Sequence, residues 1–213
     1  MVLIIKKFIS PIRKVKRIIY PKWFYEIPKI KEKARKCQSL QLGSGLATKI
    51  PGCINVDINK EVKPDVIFDL NQKDWPFKTN KFELIIAINF LEHINDLYQT
   101  LSEIHRISKP GAIVCFHVPH FSSSAAFIDP THKQYLSARS IDYCLINTKL
   151  EKEYGFYVPF RFKRRKIITS LSPMFENIPL IHFFVNRFTA FWEDYLCYII
   201  RGGGIYWELE VIK

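Results

Sequence analysis

The sequence predicts a doubly wound α/β fold built on an open, mostly parallel sheet. Short apolar runs recur along the chain, and each one ends in glycine or in a polar side chain. The first run, residues 40–42, stops on glycine, and the next two, residues 54–56 and 66–68, stop on aspartate. A fourth run, residues 84–88, is followed by a helical pattern and then by a fifth run, residues 111–117. Helices that cross between parallel strands produce a sheet of this kind.

The run Leu40-Gln41-Leu42-Gly43-Ser44-Gly45 predicts a buried strand that opens into a ligand-binding loop. Glycine adopts backbone angles that a side chain forbids, and it lets the main chain approach a bound molecule closely. The segment between Gly45 and Asp57 is too short for a full helix, and Pro51-Gly52 marks a turn within it.

Two predicted strands end in a carboxylate. Asp57 follows Gly45 by twelve residues, and Asp69 follows Asp57 by twelve more. Ligands of open α/β sheets bind outside the carboxyl ends of the strands, and a carboxylate there can accept hydrogen bonds from both hydroxyls of a ribose. The alternative, that each aspartate caps its own loop, is also compatible with the sequence.

The fourth strand leads into the polar stretch Asn89-Phe90-Leu91-Glu92-His93. Asn95 or Asp96 is suited to cap the helix that follows, and Pro110-Gly111 is expected to end it. For His93 we favour a structural role in fixing the loop over a catalytic one.

The ordered set LGSG, INVDI, VIFDL, WPFKTNKFELIIAINFLEHI and KPGAIVCFHVP resembles the class I S-adenosylmethionine-dependent methyltransferases over residues 40–119. The resemblance implies a Rossmann-like sheet of seven strands, mostly parallel, with an antiparallel C-terminal strand. The sequence also departs from the family pattern at two positions. Ala47 stands where the family usually has a third glycine, and Gln41 replaces an acidic residue often found before the first glycine.

The resemblance further implies S-adenosylmethionine as the cofactor. Asp57 would bind the ribose, and Asp69 would accept from the adenine amino group, with Leu70 and Trp75 around the ring. The implied cofactor-binding residues are Leu42, Gly43, Ser44, Gly45, Asp57, Ile58, Asp69, Leu70, Asn89 and Phe90.

A second informative stretch runs from His117 to His132 and begins at the carboxyl end of the fifth strand. An imidazole can take the proton of an acceptor hydroxyl, so His120 and His132 are the candidate general bases and Asp129 the candidate orienting carboxylate. A divalent metal held by His117, His120, Asp129 and His132 is a less favoured alternative, because the two histidines of H-x-x-H on an extended segment point to different faces. We therefore predict no metal site. A third alternative is that these residues only hold a lid in place.

Small methyltransferases found with bacterial surface-polysaccharide genes carry a stretch similar to PHFSS and DPTH in this chain. The expected acceptor is accordingly a small molecule or a glycan.

The net charge of +12 is concentrated in the N-terminal segment, residues 1–36. That segment holds twelve Lys or Arg against two Glu, a net of +10, which leaves +2 for the other 177 residues. Its first twenty residues have the pattern of a short basic amphipathic helix, which can lie on an anionic membrane or pack on the domain. Nucleic acid is not an expected partner. The methyltransferase domain is predicted to span residues 37–213.

The five cysteines are widely spaced and include no C-x-x-C pair, which indicates reduced thiols in a cytoplasmic protein. We expect no secretory signal and no membrane span, because the best apolar stretch, residues 178–200, is interrupted by charges.

The remaining elements are predicted from pattern alone. We expect a helix over Ser137–Asn147, a basic strand over Phe156–Thr169, an aromatic helix over Asn186–Ile200 and a final strand over Ile205–Ile212.

The sequence thus predicts a methyltransferase that acts on oxygen. A rival is an NAD(P)-dependent oxidoreductase or epimerase, but the G-x-G-x-x-G fingerprint fails at Thr48, and Asp57 comes fourteen residues after Gly43 where about twenty are expected. Another rival is a methyltransferase-like protein that only binds its ligand.

Overall fold

A computed structural model describes residues 26–45 and 49–213 of the chain. Its centre is a single sheet of seven strands. The strands are β1 (Ser39–Leu42), β2 (Cys53–Asp57), β3 (Val66–Ile67), β4 (Phe82–Ile88), β5 (Ser108–Pro119), β6 (Arg161–Leu171) and β7 (Gly202–Ile212).

The strand order confirms the predicted doubly wound fold. The strands lie in the order β3-β2-β1-β4-β5-β7-β6, so the chain starts in the middle, fills one half of the sheet and then the other. Strands β1 to β5 pair in parallel, whereas β7 is antiparallel to both β5 and β6. The one antiparallel strand is therefore the C-terminal strand, as predicted.

Helices flank the sheet in the described residues. They are α1 (Ile27–Ala34), α2 (Leu97–Ile107), α3 (Ala125–Ile128), α4 (Lys149–Tyr154), α5 (Pro179–Arg187) and α6 (Thr189–Tyr195). No described helix has the length and apolar character that crossing a membrane requires. All five cysteines are unpaired.

Helix α2 shows how local sequence sets an element. Asp96 is its N-cap, and the Asp96 carboxylate accepts from the backbone N–H of Gln99 at 2.9 Å. Leu101 and Ile104 face the sheet and are fully buried. The helix ends at Ile107 and not at Pro110, because the chain turns extended at Ser108 and enters β5 directly.

The apolar core lies on both faces of the sheet. Along β4, Ile85 and Ala87 pack on the α2 side, while Leu84 and Ile86 pack on the opposite side. Burial on both faces explains why β4 is apolar without alternation.

Helix α1 covers that opposite side. Its residues Ile30 and Ala34 pack against Leu84 and Ile86, and both are buried. Residues 27–34 therefore belong to the packed domain, which begins before the predicted boundary at Cys37. The predicted amphipathic helix at the start of the N-terminal segment lies outside the described residues.

The predicted helix over Ser137–Asn147 is wrong. This stretch contains turns and one short 3-10 turn, Asp142–Cys144. The hydroxyl of Ser140 accepts from the N–H of Ser137, and the hydroxyl of Ser137 accepts from the N–H of Arg139. Such local bonds compete with helix formation.

The C-terminal elements also differ in extent from the prediction. Strand β6 begins at Arg161, not at Phe156, because Gly155–Tyr157 form a 3-10 turn. The single aromatic helix is two helices, α5 and α6, which meet at Phe188, where the backbone leaves helical geometry (φ −123°, ψ 45°).

Candidate active site

The carboxyl ends of β1 to β4 border a cleft of about 590 Å³, here called the rim cleft. This volume lies within the range of small-molecule sites. The cleft is lined by Gly43, Gly45, Asp57, Ile58, Asn59, Phe68, Asp69, Leu70, Asn71, Asn89, Phe90, His93, Ile94 and Thr131.

Glycine is required in the loop after β1. Gly43 and Gly45 both have left-handed backbone angles, with φ of +57° and +53°. At Gly43 a Cβ atom would also stand 2.5 Å from a ring carbon of Phe90. The loop can therefore keep its path along the cleft only with glycine at this point.

Asp57 joins two loops at the cleft. One carboxylate oxygen accepts from the N–H of Gly45 at 3.0 Å, and the other accepts from the N–H of Asn59 at 2.9 Å. A carboxylate oxygen has two lone pairs, so each oxygen can also accept from a ligand hydroxyl. Asp57 thus caps its loop and lines the cleft, and the two interpretations of this residue are compatible.

Asp69 lies at the end of the next strand. Its Oδ1 accepts from the backbone and side-chain N–H groups of Asn71 at 3.0 and 3.1 Å. Leu70 lines the cleft, but Trp75 does not: it is 3% exposed, and its indole N–H donates to the carbonyl of Leu70. The predicted place of Trp75 beside the adenine ring is therefore wrong, because this side chain supports Leu70 from within the core.

Asn89 turns the chain at the end of β4. It has a φ of +51°, and its side-chain oxygen lies 2.8 Å from Nδ1 of His117. Burial lowers the pKa of His117 to about 3, so this imidazole is neutral and donates its Nδ1 proton to Asn89. Asn89 is thereby fixed in the wall of the cleft.

Glu92, His93 and His132 form a group at one end of the rim cleft, here called the histidine cluster. One potential ligand atom from each residue lies within 4.8 Å of the other two. The two imidazole rings meet edge to face with 4.7 Å between centroids. His93 lines the cleft itself, a placement that sequence reasoning missed when it favoured a purely structural role for this residue.

Asp129 is connected to the histidine cluster through Thr131. The hydroxyl of Thr131 donates to the Asp129 carboxylate at 2.7 Å and lies 3.0 Å from Nδ1 of His93. Asp129, the predicted orienting carboxylate, is thus linked by hydrogen bonds through Thr131 to His93. His132, the second ring of the pair, follows Thr131 directly.

Glu92 is the buried member of the cluster. It is 2% exposed, and burial raises the pKa of its carboxyl group to about 7, with the nearby Asp129 adding to the rise. Burial and the charge of His132 lower the pKa of His93, although Asp129 opposes this. Glu92 therefore titrates near neutral pH, whereas the imidazole of His93 is held in its neutral form there.

His120 is not part of the site. It is fully buried, and its Nδ1 accepts from the backbone N–H of Ser122 while Nε2 lies 3.3 Å from Oε1 of Glu193. A base must reach the acceptor, so the prediction of His120 as a general base is wrong. The metal quartet that includes His120 fails for the same reason.

Of the ten predicted cofactor residues, Leu42 and Ser44 are fully buried and do not line the cleft. Leu42 belongs to β1, and Ser44 lies inside the glycine loop. The eight that line it are Gly43, Gly45, Asp57, Ile58, Asp69, Leu70, Asn89 and Phe90.

The sequence and fold were compared with known proteins. A profile described as a methyltransferase domain matches residues 40–156. The fold is similar to that of a SAM-dependent methyltransferase from Archaeoglobus fulgidus (18% identity, TM-score 0.52, 89% of this chain and 99% of that one). It is also similar to phosphoethanolamine N-methyltransferase 2 of Haemonchus contortus in complex with S-adenosyl-L-methionine (16% identity, TM-score 0.52, 92% of this chain and 54% of that one).

A third structure of this fold is the [4+2]-cyclase SpnF (13% identity, TM-score 0.50, 86% of this chain and 80% of that one). Its name gives a reaction other than methyl transfer. The fold by itself therefore does not define the reaction.

The match over residues 40–156 covers more than half of the chain, and the chain belongs to the methyltransferase-domain family. Membership of a methyltransferase family agrees with the resemblance found in the sequence. The oxidoreductase alternative finds no support in this match.

Proposed function

We propose that this protein transfers a methyl group from S-adenosylmethionine to a hydroxyl oxygen of a small molecule or glycan. The observation that carries the proposal is the composition of one cleft. The rim cleft is lined by the glycine loop and the two strand-end aspartates and also by His93 and Thr131. The end of the cleft at His93 and Thr131, where the methyl acceptor would bind, is here called the acceptor side.

The residues of the cleft fit the cofactor. Asp57 and Asp69 place carboxylates at successive strand ends, where they accept hydrogen bonds from the ribose hydroxyls and the adenine amino group. Ile58 and Phe68 add apolar wall between these two aspartates. Asn89 and Phe90, at the end of β4, border the part of the cleft that leads to His93. S-adenosylmethionine supplies an electrophilic methyl group on its sulfonium.

The acceptor side of the cleft holds imidazoles that can take up a proton. A hydroxyl must lose its proton as it is methylated, and a positioned imidazole assists such a step by a factor of about 10² to 10⁴. His93 lines the cleft, and His132 lies beside it. Within the described residues, His93 and His132 take the place that the sequence had given to His120 and His132.

The glycan part of the proposal is supported by the similarity of the PHFSS and DPTH stretches to those of methyltransferases found with surface-polysaccharide genes. The structure adds one physical reason. Thr131 contacts His93 in the wall of the cleft, and Thr131 and its partner Asp129 are polar and exposed, which suits an acceptor with several hydroxyls.

The experiment that tests the proposal is incubation of the full chain with S-adenosylmethionine labelled in its methyl group and a panel of nucleotide sugars, lipid-linked glycans and small phenols and amines. The expected product carries the label in an ether that resists mild alkali. Label on nitrogen alone would overturn the oxygen assignment. Binding of S-adenosylhomocysteine with no turnover on any member of the panel would favour the rival that only binds its ligand.

A further inference from the structure

We propose that the histidine cluster binds a divalent transition-metal ion, with Glu92, His93 and His132 as its protein ligands. Two imidazoles and one carboxylate are the ligand set of many zinc sites that keep an open coordination position. The ligand atoms already lie within 4.8 Å of one another. A tetrahedral ion with bonds of about 2.0 to 2.2 Å needs them about 3.4 Å apart, so the side chains must rotate toward one another when the ion binds.

The hydrogen bonds of His93 leave one ring nitrogen ready for a metal. Thr131 gives its only hydroxyl proton to Asp129 at 2.7 Å, so its oxygen accepts from Nδ1 of His93 at 3.0 Å. The proton of the neutral ring is then on Nδ1. Nε2 takes no part in this bond, and a hydrogen bond from the other ring nitrogen is typical of metal-binding histidines.

His132 is prepared in the same way. Its Nδ1 lies 2.9 Å from the carbonyl oxygen of Ala126. A carbonyl can only accept, so Nδ1 carries the proton and Nε2 again presents a lone pair. The rings of His93 and His132 are neighbours, with 4.7 Å between their centroids, so both can offer Nε2 to one ion.

Glu92 supplies the independent observation. It is 2% exposed, and both of its carboxylate oxygens are buried with no hydrogen bond from another described residue. A buried carboxylate without a donor is costly unless a cation or a proton joins it. A metal ion bound here would neutralise the Glu92 carboxylate and would be coordinated by both imidazoles.

The position of the site indicates what the ion would do. His93 and Thr131 belong to the wall of the rim cleft, so an ion held by His93 lies beside the cleft. A divalent ion can bind an acceptor hydroxyl and lower its pKa, which makes the alkoxide accessible near neutral pH. This role rests on the proposed function, whereas the binding of the ion does not.

The test is titration calorimetry of the tag-free full chain, treated with a chelator and then titrated with ZnCl₂. We expect one Zn²⁺ per chain and little binding of Mg²⁺, which prefers oxygen ligands. Glu92→Gln and His132→Gln should each weaken Zn²⁺ binding by at least about 100-fold. Thr131→Val, which removes the hydroxyl between Asp129 and His93 but no proposed ligand, should weaken it by about 10- to 100-fold.

Two variants serve as matched controls. His105→Gln changes a half-buried histidine that contacts the backbone of Ile212, and Glu61→Gln changes an exposed carboxylate. Both should bind Zn²⁺ as the unchanged protein does. Circular dichroism of every variant shows that the fold is retained.

Absence of stoichiometric binding of both Zn²⁺ and Co²⁺ would overturn the proposal. The proposal would also be overturned if Glu92→Gln and His132→Gln bound Zn²⁺ as tightly as the unchanged protein. The ion would then be held elsewhere, for example by Cys37. Zn²⁺ binding in the expected pattern with no methylated product would support the site and contradict only the proposed function. Methyl transfer that survives removal of the metal would show that His93 and His132 act as bases without it, and would overturn the role given to the ion.

Discussion

Gly43 and Gly111 both adopt left-handed backbone angles, but they differ in what a side chain would meet. At Gly43 a Cβ would stand 2.5 Å from the ring of Phe90, whereas at Gly111 it would meet nothing within 4 Å. Gly43→Ala should therefore lower the free energy of unfolding by about 2 to 4 kcal/mol, the sum of backbone strain and a displaced ring. Gly111→Ala should lower it by only about 1 to 2 kcal/mol.

Urea denaturation of the two variants measures both values. Gly43→Ala should also weaken binding of S-adenosylhomocysteine, because Phe90 lines the rim cleft, and Gly111→Ala should not. Equal losses of stability, together with unchanged binding in Gly43→Ala, would show that the contact with Phe90 has no importance.

His120 and His132 should respond to substitution in opposite ways. His120 is fully buried and bonded to Glu193, so His120→Ala removes a buried partner and should lower the free energy of unfolding by about 2 to 4 kcal/mol. His132→Ala should change stability by less than about 1 kcal/mol and reduce methyl transfer.

The measurement is a pair of values for each variant, the unfolding midpoint in urea and the initial rate with a working acceptor. A variant of His120 that keeps full stability but loses turnover would restore this residue to the site. Full activity in His132→Ala would remove His132 from it.

At the residue scale, the sequence predicts Asp57 and Asp69 correctly as cleft residues because each ends an apolar run, and strand ends of a parallel sheet share one edge. It fails for His120 because the partner that buries it, Glu193, is 73 residues away. It does not indicate that His93 lines the cleft, because Thr131, which contacts this ring, comes 38 residues later.

Helix α6 depends on an ionised glutamate in the protein interior. Glu193 is 6% exposed; its carboxylate accepts from His120, from the side chain of Arg139 at 2.8 Å and from the N–H of Ala138 at 2.6 Å. Burial alone would raise the pKa of Glu193, but these hydrogen bonds outweigh it and hold the pKa below the ordinary value of 4.5. A carboxyl group with a lowered pKa in the folded state binds its proton more weakly there than in the unfolded state. Its stabilising contribution is therefore present above pH 4.5 and is lost as the pH falls through the folded-state pKa.

Glu193→Gln should be less stable than the unchanged protein at pH 7 by about 1 to 3 kcal/mol. The difference should shrink as the pH is lowered below 4.5, since the unchanged protein then loses the same charge. Urea denaturation at pH 7 and at successively lower pH gives the two curves. A difference that stays constant with pH would mean that the charge of Glu193 does not stabilise the fold.

At the element scale, the parallel half of the sheet can be predicted because its strands are apolar on both faces and end in turn residues. The C-terminal half is harder. The Ser137–Asn147 stretch is not a helix, because the hydroxyls of Ser137 and Ser140 accept hydrogen bonds from nearby backbone N–H groups and hold it in turns. The break between α5 and α6 is set by a tertiary contact: the side chain of Asn186 bonds both backbone groups of Thr169 in β6, at 2.8 and 2.9 Å.

The whole molecule is asymmetric in charge. Residues 1–36 carry a net +10 of the total +12. A basic amphipathic segment is drawn to anionic lipid by about 1 kcal/mol per basic residue near the surface. We predict that the full chain pellets with vesicles of anionic lipid and that deletion of residues 2–20 abolishes this.

The control is vesicles of neutral lipid, which neither form should bind. Salt should weaken the binding, because the attraction is electrostatic. If the full chain stays in the supernatant with anionic vesicles, the membrane prediction is wrong.

S-adenosylmethionine is proposed to bind in the rim cleft, with Asp57 accepting hydrogen bonds from its ribose. The most direct test is titration calorimetry of the full chain and of Asp57→Ala with S-adenosylhomocysteine, with NAD as the control ligand. We expect micromolar binding of S-adenosylhomocysteine to the unchanged protein, loss of that binding in a folded Asp57→Ala variant, and no binding of NAD. Unchanged affinity in Asp57→Ala, or binding of NAD in place of S-adenosylhomocysteine, would show that the cofactor is not bound in this way.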